Sequence, residues 1–235
     1  MCGTIFYAWR TDKGSALTNW EQVKSRWIMC ILRDMSPESA METYLAALPY
    51  KDMIVGIGLD SDELDRPPSL FEEIFKRAKA DGFKLTAHCD FNQKDTHKHI
   101  RQVAELLRAQ RIDHGLNAAD SEQLMELIAS AGMGMTICPC AYIRHASDVE
   151  VFPRIRKLFD AGIKVAIASD DPAYMEDNWV TNGLLMVKDR CNFSYHDIAL
   201  LLRNAVEMSW ADEGTKEDLT KEINHFVIFA DVDAK

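Results

Sequence analysis

Short apolar runs alternate with longer amphipathic stretches along most of this sequence, and no other feature limits the fold as much. Residues 27–32, 53–59, 84–88, 111–114, 133–138 and 164–169 read as strands. They are largely apolar without polar alternation, so both faces of each strand must be covered, as in a parallel sheet flanked by helices. Between them the pattern predicts helices. Ser36 is placed to cap one that starts at Pro37 and stops before Pro49. Others fall at 69–80, 96–108, 121–131 and 149–160, with Gly82, Gly132 and Gly162 just beyond three of them. Beyond Asp170 the pattern is helical again, at 178–190, 195–208 and 216–226. Strand–helix units of roughly 25 to 30 residues are the period expected of βα repeats.

With 235 residues, 47% of them hydrophobic, and no Gly/Ser linker, the chain reads as a single domain over 1–235. Residues 1–19 form an atypical N-terminal segment, whose apolar run at 5–9 is too short for a signal peptide. A net charge of −10 argues against nucleic acid or an anionic membrane as partner, because phosphate binding needs a concentrated basic face. No stretch reaches membrane-spanning length. The cysteines (Cys2, Cys30, Cys89, Cys138, Cys140, Cys191) show no framework spacing, and Cys138-Pro139-Cys140 is neither a redox nor a zinc-ribbon motif. A reducing, cytoplasmic setting is expected.

Two folds accommodate this alternation, a doubly wound open sheet and an eight-stranded barrel. No G-x-G-x-x-G follows a strand, and Gly56 and Gly58 lie inside one, where glycine relieves packing or admits a ligand. The decision falls to the site residues. Asp60, His88, His114 and the pair Asp170-Asp171 stand at the C-terminal ends of their strands, where barrel enzymes hold their chemistry. Adjacent carboxylates in a barrel mouth are costly unless a cation offsets them. Histidine and carboxylate donors suit zinc best, and iron or manganese less well. A catalytic zinc takes about three protein ligands and keeps one open position, whereas His88 and Asp170 supply two. His97 and His99 lie in the helix at 96–108, where positions two apart face away from each other, so the pair reads as a solvated helix face. His145, His196 and His225 read as surface.

Four motifs then occur in order: Thr86-Ala87-His88, Arg111-Ile112-Asp113-His114-Gly115-Leu116, Cys138-Pro139 and Ser169-Asp170-Asp171-Pro172-Ala173. Over about residues 27–210 the sequence resembles the adenosine/adenine deaminase family of metal-dependent hydrolases. The stretches Gly58-Leu59-Asp60-Ser61-Asp62-Glu63 and His88-Cys89-Asp90 look like its microbial or fungal subgroup. The resemblance implies an α/β fold, a (β/α)8 TIM barrel of the metal-dependent hydrolase type, here lacking its first two βα units. That leaves six parallel strands plus C-terminal helices. It also implies one Zn2+ and hydrolytic deamination of the 6-amino group of a purine base or nucleoside.

Carried onto this chain, the resemblance makes His88 and Asp170 metal ligands. His114 becomes the catalytic group that orients the attacking water and stabilises charge developing at C6. Asp171 hydrogen-bonds the purine N7, and Asp60 and Ser61 border the substrate. Three departures follow. The family's H-x-H on its opening strand has no counterpart here. Its catalytic glutamate, three residues after the strand-five histidine, falls on Phe91, which leaves Asp90 as the nearest proton-transfer carboxylate and Asp95 as the next. The glycine that meets the purine aligns near Ser61, and the Ser-Asn after Cys-Pro is replaced by Cys140-Ala141-Tyr142.

The implied partner is a small-molecule purine. Adenine, adenosine and N6-substituted forms all remain open, as does a homo-oligomer. The absent strands read as an incomplete gene sequence, a shortened inactive paralogue, or a barrel completed by another chain. The alternative to an enzyme is a non-catalytic paralogue or fragment acting as a binding or dimerising module.

Overall fold

A computed structural model of the chain describes residues 5–8, 23–175 and 179–233. Among these, seven strands form one sheet in sequential order: β1 (Ile5–Ala8), β2 (Val23–Leu32), β3 (Ile54–Asp60), β4 (Lys84–Cys89), β5 (Arg111–His114), β6 (Gly134–Ile137) and β7 (Lys164–Ile167). β2 to β7 are parallel, each joined to the next through helix. A doubly wound sheet reverses its strand order at a switch point. This order never reverses, so the right-handed crossovers place successive helices on one side of the sheet. The six parallel strands are therefore an arc of six of the eight units of a (β/α)8 barrel.

β2 starts four residues before the expected strand. That extension, Val23 to Arg26, pairs antiparallel with β1, with Ile5 opposite Arg26 and Ala8 opposite Val23. The rest of the expected N-terminal segment lies outside the described residues.

The helices are α1 (Pro37–Ala47), α2 (Glu72–Ala80), α3 (Thr96–Gln102), α4 (Glu122–Ser130), α5 (Pro139–Tyr142), α6 (Asp148–Asp160), α7 (Val180–Arg190), α8 (Tyr195–Met208) and α9 (Glu213–Asp233). Ser36 caps α1 as expected, accepting the Ser39 N–H at 3.2 Å. The helix expected at 96–108 is divided: α3 passes into a π-helical turn, Val103–Leu107, which ends where Arg108 turns left-handed at φ 50°. The helix expected from 69 begins as a 3-10 turn, Pro68–Phe71, before α2. Asn178, the expected start of the first C-terminal helix, lies outside the described residues.

The core consists of the strand interiors and the helix faces laid on them. Ile57, Leu85, Ala87, Ile112, Met135 and Val165 are fully buried. Cys89, Cys138, Cys140 and Cys191 are buried free thiols that pack as small hydrophobes. At the N-terminal end of the strands, Trp210 comes so close that a Cβ at Gly56 would lie 2.3 Å from its ring and 2.9 Å from the Lys84 carbonyl. Met208 covers Gly134 in the same manner, at 2.5 Å. These strand glycines relieve packing at the floor of the barrel.

Tyr44 is fully buried and donates its hydroxyl to Asp81 Oδ2 at 2.6 Å, tying α1 to the end of α2. With Arg77 as second partner, this holds the Asp81 carboxyl below its usual 3.8.

Two predictions test this packing. Gly56→Ala should destabilise the fold by about 1–3 kcal/mol in urea denaturation. Combined with Trp210→Leu it should cost less than the sum of the two single changes. Tyr44→Phe should be less stable than wild type at neutral pH. Because the folded-state pKa of Asp81 is depressed, its contribution is present above the unfolded value and lost as pH falls through the folded one. The gap between the two proteins should therefore narrow below about pH 4.

Candidate active site

Parallel strands deliver their C-terminal residues to one rim. His88 comes from β4, His114 from β5, Cys138 follows β6 and Asp170 follows β7. The His88 and His114 rings meet edge-to-face with centroids 4.2 Å apart. His114 Nε2 stands 3.8 Å from Asp170 Oδ2. One ligand atom each from His114, Cys138 and Asp170 lies within 4.8 Å of the others. His114 and Asp170 both adopt left-handed backbone, at φ 66° and 56°. For residues other than glycine such conformations cost of order 1 kcal/mol or more, and they cluster at functional sites. Gly115 continues the left-handed turn at φ 76° and donates its N–H to the Cys89 carbonyl at 2.7 Å, locking β5 to β4 where the two histidines emerge.

Neighbouring side chains orient these donors. His114 Nδ1 lies 3.1 Å from the buried Tyr142 hydroxyl, so its Nε2 faces Asp170. Tyr142 belonged to the motif departure and carried no expected role. Its signal in the sequence is the demand of a buried phenol for a partner. Asp113, preceding His114, is clasped by Thr86 Oγ1 at 2.5 Å, Thr136 Oγ1 at 2.6 Å and Arg111 Nε at 3.3 Å, which ties β4, β5 and β6 together. Burial alone would raise the Asp113 pKa, but the Arg111 charge and the two hydroxyls outweigh it and hold the carboxyl low.

Glu63 was also missed. Its side chain is 2% exposed, and its Oε1 takes His88 Nδ1 at 2.8 Å, the Asp90 N–H at 2.7 Å and Arg33 Nη1 at 3.3 Å. The expectation for His97 and His99 is corrected in part. His97 is exposed beside Asp120, but His99 is buried with its Nδ1 3.5 Å from Glu63 Oε2. Helical geometry sends residues two apart to opposite faces, and the inward face of α3 meets Glu63. His145, His196 and His225 are exposed, as expected.

The other expected residues surround this centre. Asp60 ends β3 and accepts the Ser61 N–H at 2.8 Å. Ser61 sits at φ 82°, the glycine-type conformation that the resemblance implies at this point. Asp90 Oδ1 accepts the Phe91 N–H at 2.7 Å. The Phe91 ring is buried with its centroid 5.5 Å from that of Tyr142, so it forms wall and offers no proton. Asp171 lies on the exposed rim.

Charge at the rim is uneven. Burial, followed by the charge of Asp171, lifts the Asp170 pKa to about 6. Burial and the nearby His88 charge lower His114 to about 4. Burial opposes protonation of His88 as well, but Glu63, Asp90 and Asp60 reverse this and leave its pKa raised. Imidazole, thiol and carboxylate donors beside an acidic pair fit a borderline divalent cation. Among the described residues, His114, Cys138 and Asp170 are the group whose donor atoms gather closely enough to share such an ion.

A βα barrel with such donors at the C-terminal ends of its strands defines a class of barrel proteins built to hold a metal ion at the mouth. The profile of the adenosine deaminase family matches residues 11–226, and the chain belongs to that family. It is 39% identical over 205 residues to a Schizosaccharomyces pombe protein described as an uncharacterized deaminase, covering 87% of this chain and 60% of that protein. It is 36% identical to an adenine deaminase of Psychrobacter cryohalolentis, over 85% of this chain and 60% of the relative. Among solved structures, an adenine deaminase from Arthrobacter aurescens superposes with TM-score 0.79 at 30% identity, covering 86% of this chain and 61% of that one. A Burkholderia ambifaria amidohydrolase with bound Zn superposes with TM-score 0.80 at 27% identity, covering 89% of this chain and 58% of that one. The chain thus spans about 60% of the length of the curated relatives it matches. Among the described residues, no helix is long and apolar enough to cross a membrane.

Asp113→Ala leaves the buried Arg111 guanidinium without its carboxylate. It should cost about 3–5 kcal/mol in chemical denaturation, more than Asp113→Asn, which keeps an acceptor for the threonines.

Proposed function

We propose that this site serves the hydrolytic deamination of a purine at its 6-amino position, with one Zn2+ held by His88 and Asp170. The observation that carries the reading is the convergence of His88, His114 and Asp170, 4.2 Å between the rings and 3.8 Å from imidazole to carboxylate, at the rim where barrel chemistry is done. A zinc ion there lowers the pKa of water toward neutrality and so makes a nucleophile available at ordinary pH.

The chain's own residues supply the rest. His114, neutral at physiological pH and oriented by Tyr142, turns Nε2 toward the attacking water, takes up its proton and stabilises charge developing at C6. Asp90, beside His88, carries a proton to the ring nitrogen as that nitrogen becomes basic. Asp171 hydrogen-bonds the base at N7, and Asp60 and the left-handed turn at Ser61 border the edge where the base lies. The substrate is a small purine, of which adenine has the support of the relatives' activity. The free thiols suit a reducing compartment such as the cytoplasm.

A second reading has one observation behind it. Phe91 is buried wall where the family carries its glutamate, so a chain that binds a purine without turning it over is the alternative.

Zinc per chain, measured by elemental analysis after dialysis against dilute zinc, should be close to one and should fall in His88→Ala and Asp170→Ala. Deamination should be followed by the ultraviolet change on a panel of adenine, adenosine and N6-methylated purines. His114→Ala should lower turnover by about 10²–10⁴-fold and Asp171→Ala by at least tenfold. Stoichiometric zinc with purine binding and no turnover selects the second reading. Activity that survives both substitutions within a few-fold overturns the assigned roles.

A further inference from the structure

We propose that Glu63, held by Arg33, is a positioning residue that fixes His88 with its proton on Nδ1 and its Nε2 turned to the barrel mouth. The inference deepens the reading of His88 as a metal ligand and rests on it for its consequence, but not for the tautomer itself.

The starting point is what one oxygen can accept. Glu63 Oε1 is approached by His88 Nδ1, the Asp90 N–H and Arg33 Nη1, at 2.8, 2.7 and 3.3 Å. An ionised carboxylate has no proton to give, so the partner nitrogen of His88 must bring one. Glu63 Oε1 already accepts the Asp90 N–H and faces the buried Arg33 guanidinium, the surroundings of an ionised carboxylate oxygen that accepts and does not donate. A protonated Nδ1 leaves Nε2 as the nitrogen with a lone pair once the ring is neutral, and that is the atom a metal or a substrate proton meets.

Arg33 makes the arrangement rigid. Its side chain is fully buried at the end of β2, with Nε and Nη2 on the Arg66 carbonyl at 3.0 and 2.7 Å and Nη1 on the His88 carbonyl at 2.9 Å. It therefore holds the backbone of His88 and, through Glu63, the ring of the same residue. Burying such a pair costs desolvation that its own attraction rarely repays, so a role in specifying geometry accounts for it better than stability does. Glu63 Oε2 and His99 Nδ1 are buried without hydrogen-bond partners and face each other at 3.5 Å.

The test uses the full chain labelled with 15N-histidine, free of metal, and long-range 1H–15N correlation spectra. Wild type should show the neutral form of His88 protonated at Nδ1. Glu63→Ala should lose that preference, while Glu63→Gln, which keeps an acceptor oxygen, should retain it. Zinc affinity by competition with a chromophoric chelator should fall about 10- to 100-fold in Glu63→Ala, with part of the loss recovered in Glu63→Gln. In a His88→Ala background, Glu63→Ala should have no further effect on affinity, whereas a purely structural role would persist there. A neutral His88 protonated at Nε2 in wild type, or a melting-temperature loss in Glu63→Gln with tautomer and affinity unchanged, would overturn the proposal. If Glu63→Ala does not fold, the wild-type tautomer and the Glu63→Gln series still decide. A wild type that shows the Nδ1–H tautomer and binds no zinc upholds the positioning and overturns the metal reading instead.

Discussion

Six strands that all run the same way bring whatever ends them to one rim, and everything at this site depends on that. A parallel strand must be covered on both faces, so its body has to be apolar, and polar groups are tolerated only where it emerges. Asp60, His88, His114 and Asp170 are such emergent residues, and the sequential order of β3 to β7 brings His114 and Asp170, 56 positions apart in the chain, to 3.8 Å.

Gathering these groups concentrates like charge. Asp60, Asp90, Asp170 and Asp171 crowd one end of the sheet, and burial, with the charge of Asp171 after it, makes the carboxyl of Asp170 hold its proton more tightly. The chain meets this with internal cations where it can. Arg33 stands under Glu63 and Arg111 under Asp113, both guanidiniums removed from solvent. No guanidinium stands beside Asp170 and Asp171 among the described contacts, and it is there that the metal proposed above would supply the counter-charge.

The strand–helix alternation, the capped start of α1, the strand boundaries at β4 and β5 and the histidines and aspartates at strand ends were all legible in the residues. So was the family, because four short motifs in order are far more specific than any one of them. Less was legible where contact partners decide. Glu63 reads as one acidic residue in a polar loop, and His99 as half of a solvated pair. Tyr142 looked like a departure from a motif. Each has its role only because a remote element packs on it: β2 supplies Arg33 to Glu63, α3 turns His99 inward, and β5 presents His114 to Tyr142.

What the sequence by itself determined is the set of local rules: which runs must be covered on both faces, where helices start, and which residue types stand at the strand ends. These depend on near neighbours and on hydrophobic period, and both are written along the chain. The tertiary structure alone made Gly56 a seat for Trp210 and joined Arg33, Glu63, His88 and His99 into one buried cluster. Those outcomes rest on distances between segments far apart in sequence. A buried charge acquires its partner, and a histidine its tautomer, only when the strands have closed around them.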